Sequence, residues 1–305
     1  MSSALTLPAP LQDSIERFAA GFLMPQGAPA VDFRTPPGEP ALVPAGSVSW
    51  RVFKNPVTLF IGGVAAVLLE LAEPRVRHGV WDHTNFRNEP LKRLQRTGLA
   101  AMVTIYGPES AARAMIAAVN GMHAHVTGTT SGGIAYRADD PELLDWVQAT
   151  AAYGFLEAYA CYVRTLGNAE RDLYYSEAVP VAALYGATGA PASQAEALAL
   201  LRRTRAKLEP SVTLMEFLDI MRRMPGLPAA GRPAQALLVR AAVDILPHGI
   251  ADLLRLGPEW RLKSWERPLV RTLARSSDRL LLRSSPAVRS CLRLGLPEDY
   301  LYKTR

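Results

Sequence analysis

Val57-Thr-Leu-Phe-Ile-Gly-Gly-Val-Ala-Ala-Val-Leu-Leu69 is the longest apolar run in the chain, and it closes on a carboxylate, Glu70. Coiled as a helix it reaches about 20 Å, short of the roughly 30 Å hydrocarbon core of a bilayer. The run therefore reads as a buried helix rather than a membrane span, with a peripheral membrane contact left open. Its bounds fall near Asn55 and Ala72, because Pro74 disfavours helical geometry in the residue before it. One long buried helix needs others around it, and the rest of the chain supplies them.

On the N-terminal side, residues 1–48 combine a short helical pattern from Leu11 to Phe22 with a proline-rich stretch from Pro25 to Pro44. They read as an arm that wraps the surface or is partly disordered. On the C-terminal side, Glu89-Pro90 opens a helix near Leu91, and Gly107-Pro108-Glu109-Ser110 starts another over residues 111–125. The segment Gly128 to Gly133 reads as a turn or short hairpin before Tyr136. Asp139-Asp140-Pro141-Glu142 is a strong helix start, with an acidic cap, proline in the first turn and a further acid behind it. The helix it opens runs to about Thr165 and should be central and buried. Further helices are expected over 168–184 and 192–208, then several short ones between prolines. Strand signals are nearly missing, so the expected fold class is mainly α, a single-domain multi-helix bundle over residues 49–305.

With 305 residues and 49% hydrophobic composition, the chain can bury a large core. The net charge of +6 comes largely from arginines of the last third, Arg255 to Arg293, which read as a solvated face. No nucleic-acid module accompanies them, so no nucleic-acid partner is expected. Cys161 and Cys291 lie far apart without metal-binding or disulfide spacing, and the N-terminus lacks a basic start followed by an apolar stretch. A cytoplasmic protein is the expectation.

The residues that could carry chemistry lie on the two helices after Pro90. Arg93, Arg96 and Thr97 share one helix face, two cations and a hydroxyl suited to an anion such as a propionate or a phosphate; an exposed arginine pair can equally be plain surface. In the segment 117–128, Val119, Met122 and Val126 form an apolar stripe with His123 at its margin. His125 points elsewhere, since two residues turn about 200°, and the pair cannot hold one metal from the same turn. An imidazole beside apolar surface suits an axial haem ligand, and it suits a core histidine with an ordinary hydrogen-bond partner; the residues alone leave both open. His83 could serve a pocket, while Asp82 beside it reads as a turn residue. Glu177, among Tyr174 and Tyr175, either accepts from an arginine or is a surface carboxylate. No nucleophile elbow and no metal-hydrolase motif is present.

Taken in order, Arg93-Leu-Gln-Arg96-Thr97, Ile105-Tyr-Gly107, His123-Ala-His-Val-Thr-Gly128, Tyr136 to Val147 and Tyr174-Tyr-Ser-Glu177 with Gly186 resemble the MpaB and latex-clearing-protein (rubber oxygenase) family over roughly residues 50–295. The resemblance implies a largely helical domain enclosing a pocket for haem b, and an oxygenase that uses dioxygen to cleave carbon–carbon double bonds of an apolar, isoprenoid or lipid-like substrate. It places His123 as proximal iron ligand, Arg93 and Thr97 beside the cofactor, Arg96 where rubber oxygenases carry a distal lysine, and Arg96, Thr97 and Glu177 among the catalytic residues. The chain departs from the family pattern at Glu70 and Glu73, where a Leu-Gln-x-x-His-Pro run is common, at Gln148, where a histidine is common, and at Thr127. These departures keep a second reading alongside the first, a non-catalytic relative that binds haem or a hydrophobic ligand.

Overall fold

The computed structural model describes residues 4–10, 12, 13, 16, 31–224 and 231–303. Thirteen α-helices are found among them: α1 Val48–Phe53, α2 Pro56–Ala72, α3 Pro74–Trp81, α4 Pro90–Tyr106, α5 Glu109–His123, α6 Pro141–Tyr162, α7 Asn168–Leu184, α8 Gln194–Thr204, α9 Val212–Arg223, α10 Arg232–Asp244, α11 Ile250–Leu253, α12 Glu266–Arg279 and α13 Pro286–Arg293. One antiparallel hairpin, β1 Thr127–Thr129 and β2 Ala135–Arg137, pairs Thr127 with Arg137 and Thr129 with Ala135. The fold is mainly α, as the patterning indicates. The Leu11–Phe22 pattern lies largely outside the described residues.

Local chemistry sets the helix ends. Asn55 accepts from the backbone N–H groups of Val57 and Thr58, each at 3.1 Å, with Pro56 in the first turn of α2. Asp140 caps α6 by accepting from Glu142 at 2.9 Å, and Ser193 caps α8 by accepting from Glu196 at 3.2 Å. Pro74 stops α2 as expected, and the chain resumes at once as α3, bent by 111° from α2. Among the described residues no single helix is long and apolar enough to cross a membrane. The apolar run of α2 is spent inside the protein: Ile61, Ala65, Leu68 and Leu69 are fully enclosed.

The centre is the antiparallel pair α2 and α6, which meet backbone to backbone where Gly62 lies on Gly154. A Cβ placed on Gly62 would stand 2.7 Å from the Gly154 carbonyl oxygen, and one on Gly154 would collide with the Gly62 carbonyl. Only hydrogen fits at either position. Around this pair, α9, α10 and α12 pack on one side, and α1, α4 and α7 on the other.

Two sequence readings change on this scaffold. Residues 31–47 belong to the packed body, since Phe33 and Val43 are buried in it. Arg293 is not part of a solvated face: it is 3% exposed and donates to the carbonyls of Phe33 at 2.8 Å, Glu39 at 2.9 Å and Tyr106 at 2.7 Å. A guanidinium offers five donors, and here two carbonyls of the irregular segment and the last carbonyl of α4 take three of them.

Alanine at Gly62 or Gly154 should destabilise the protein by about 1–3 kcal/mol or more through overpacking, read as a lowered thermal midpoint. Alanine at Gly98, where an added Cβ meets nothing within 4 Å, should leave the midpoint unchanged or raise it.

Candidate functional site

Four elements converge on one cluster. Helix α2 contributes Glu70 near its C-terminal end, α4 contributes Arg93 and Thr97, α5 ends on His123, and α6 contributes Thr150. Arg93 and Thr97, one turn apart, are joined: the guanidinium donates to the Thr97 hydroxyl, which itself donates to the Arg93 carbonyl at 3.1 Å. The Arg93 cation also acts on both Glu70 and His123.

Glu70 is the outlier. Burial pushes its carboxyl up to about 7, against the opposing pull of the Arg93 cation and the Thr150 hydroxyl. Arg93 and Glu70 form no direct ion pair, so the cation answers the carboxylate across a gap. Thr150, fully buried, donates its hydroxyl to the carbonyls of Trp146 at 3.0 Å and Val147 at 2.9 Å. The Thr150 hydroxyl also favours the ionised form of Glu70, so burial raises the carboxyl against both Thr150 and Arg93. The same group is thus half-charged near neutral pH, poised to hold or release a proton.

His123 is the last residue of α5. Burial, reinforced by the Arg93 cation, holds its basicity below that of a free imidazole, with only Asp139 opposing. The ring is neutral at pH 7. Its Nδ1 is sealed in protein without a hydrogen-bond partner, a condition that costs about 1–3 kcal/mol. Packing, not hydrogen bonding, holds this ring in place. Glu70, Arg93 and His123 all keep some accessible surface although burial dominates their titration. That combination describes side chains lining a recess.

The other sequence candidates are placed differently. Arg96 is exposed on α4, nearly two turns from its N-terminus, and its charge is felt by Arg93 and Glu89. Glu177 accepts from the backbone N–H groups of Val48 at 3.0 Å and Ser49 at 3.4 Å, so it serves the N-terminus of α1. That engagement, rather than an arginine partner, occupies its carboxylate. His83 meets the Tyr136 hydroxyl at 3.0 Å, and Asp82 meets His78 Nδ1 at 2.7 Å. His125 and Thr127 are exposed on the hairpin approach. Glu73 caps α3 by accepting from Val76 at 2.9 Å and pairs with Arg75 at 2.7 Å; its carboxylate is committed to a helix end. Sequence reasoning passed over Glu70 and Thr150 as site residues. The available signal was that Glu70 ends an otherwise apolar run and stands where glutamine is common.

Beside the N-terminus of α4 lies an open groove of about 610 Å³, bordered by apolar Pro90, Val212, Met215, Ile220 and Met224 and by charged Glu216, Asp219 and Arg223. Pro90 precedes Arg93 by one turn.

A carboxyl with a raised folded-state value contributes stability that is complete below its ordinary value of 4.5 and is lost as pH rises through about 7. Wild-type stability should therefore fall relative to Glu70→Gln between pH 5 and pH 8 by up to about 3 kcal/mol, measured by denaturant titration. Arg93→Gln should move the Glu70 midpoint further up, seen in its carboxyl infrared band; an unmoved band would contradict the coupling.

One comparison with known proteins finds a match. The model of the family described as ER-bound oxygenase mpaB/B'/Rubber oxygenase, catalytic domain, matches residues 50–277. No curated protein and no solved structure matches the chain. The matched span holds Glu70, Arg93, Thr97, His123 and Thr150, and it covers well over half of the sequence. The chain belongs to the mpaB and rubber oxygenase catalytic-domain family.

Proposed function

We propose that the protein is a haem-b-dependent oxygenase that uses dioxygen on an apolar, unsaturated substrate of isoprenoid or lipid-like type, with His123 as the proximal iron ligand. One observation carries the reading: a neutral imidazole without any hydrogen-bond partner, held beside a half-buried arginine at a recess, within an oxygenase family domain. A neutral ring has the electron pair that iron requires. With Nδ1 sealed in protein, Nε2 is the ring nitrogen that iron would take.

The residues present fit the cofactor. His123 would bind the iron, and Arg93 with Thr97 would offer a cation and a hydroxyl to a propionate. Haem, when bound, supplies the redox-active iron at which dioxygen is activated. The chain's own contribution is arrangement. Burial keeps His123 unprotonated, Arg93 holds an anionic group against α4, and Glu70 holds a proton at its carboxyl near neutral pH, able to give it up or take it back.

A second reading, haem or hydrophobic-ligand binding without turnover, draws on Glu177 and Glu73, whose carboxylates are both occupied at helix ends. Two measurements separate the readings. The purified protein, or protein supplied with hemin, should show a Soret band that His123→Ala removes. Oxygen uptake with unsaturated terpenoids should then exceed that of the variant by at least tenfold, given the general scale of losing an essential catalytic group. A colourless protein that refuses hemin would sink both haem readings; a Soret band without oxygen uptake across a terpenoid panel would leave the binder.

A further inference from the structure

Helix α5 leads to His123 along one face. Ala112, Ile116, Asn120 and His123 follow one another at steps of four, four and three residues, and the first two are buried. Asn120 donates from Nδ2 to the carbonyl of Leu184, the last residue of α7, at 2.8 Å. Next to Leu184, the Tyr185 hydroxyl meets the Thr104 hydroxyl of α4 at 2.8 Å. The end of α7 thereby ties the last turn of α5, which bears His123, to the helix that bears Arg93 and Thr97.

The Leu184 bond also settles which way the amide faces. A carbonyl accepts and cannot donate, so the Asn120 nitrogen points to Leu184 and Oδ1 points away from it. That oxygen is sealed in protein without a partner. Among the described residues the only other buried side-chain oxygen in that condition is Gln235 Oε1, on α10. The Asn120 oxygen belongs to the turn before His123, whose Nδ1 is likewise sealed and unpartnered. An unmet acceptor and an unmet ring nitrogen on one helix face are complementary, and each costs stability while it stays unmet.

What Nδ1 needs follows from chemistry. A neutral imidazole that gives its Nε2 electron pair to iron carries its proton on Nδ1, and ligating histidines donate that N–H to a second group. We propose that Asn120 is the positioning residue for His123, its Oδ1 accepting from Nδ1–H when Nε2 takes iron. The inference rests on the haem reading and adds to it the group that fixes the ring's tautomer and direction. Asp139 also acts on His123, but both its carboxylate oxygens accept from Arg137, at 3.0 and 2.9 Å. Asn120 Oδ1 and His123 Nδ1 are not bonded as they stand; the ring turns to meet an amide that Leu184 holds still.

Two substitutions test this in the hemin-loaded protein. Asn120→Leu removes the acceptor and Asn120→Asp strengthens it, while both lose the bond to Leu184. The ferrous iron–histidine stretch in resonance Raman should shift down in Asn120→Leu and up in Asn120→Asp, because a stronger acceptor makes the ring more anionic. The haem potential should move the other way, up in Asn120→Leu and down in Asn120→Asp. Hemin affinity should fall about 10–100-fold in Asn120→Leu. Shifts of one sign in both variants would assign Asn120 to the Leu184 anchor alone and overturn the proposal. One measurement needs no variant: in the wild type loaded with zinc protoporphyrin, proton NMR should show an Overhauser contact between His123 Nδ1–H and the Asn120 side-chain amide. Contact with Asp139 in its place overturns the proposal. A wild type that takes up no hemin, or a Soret band that survives in His123→Ala, overturns the haem reading and this inference with it. Hemin held by His123 with neither Asn120 variant shifted overturns this inference alone.

Discussion

The structure depends on two helix backbones touching at Gly62 and Gly154. Side chains larger than hydrogen would force α2 and α6 apart, and everything that packs around the pair would follow. This contact also sets the site. Antiparallel packing through Gly62 and Gly154 carries Glu70 of α2 alongside Thr150 of α6, eight residues from one glycine and four from the other. The polar end of the core is thus placed by this glycine contact.

Placed there, the charges decide one another's state. Glu70 is raised by burial and restrained by Arg93, while His123 is lowered by burial and lowered again by the same Arg93. One guanidinium thereby favours both an ionised carboxyl and a neutral imidazole. A protonatable acid beside an unprotonated ring around one cation is an arrangement that a tightly packed soluble core would replace with apolar groups if stability alone were selected. The carboxylates of Glu73 and Glu177 are engaged elsewhere, by backbone N–H groups at helix starts.

What the sequence made legible was local. The cap at Asp140, the stop at Pro74 and the hairpin before Tyr136 all follow from a few neighbouring residues, and the mainly α fold follows from many such local signals. The closeness of Arg93 to Thr97 was legible for the same reason, as a one-turn spacing. Glu70 with Arg93 and His123 was not, because three helices must first pack to bring them together. Glu177 finds its partner 129 residues away at Val48, and Arg293 finds Phe33 at a separation of 260. No periodicity within one helix encodes such pairings, and so an arginine that reads as solvated surface proves to be a core anchor for the proline-rich segment.

The central claim is that the neutral imidazole of His123 binds iron, through Nε2 because Nδ1 is sealed in protein. Removing the ring while keeping its space tests it most directly: His123→Gly, titrated with hemin in the presence and absence of free imidazole. The account predicts a Soret band in the wild type, its loss in the variant, and its return when imidazole fills the vacated position. A variant that takes up hemin with the wild-type spectrum and affinity without added imidazole would contradict it.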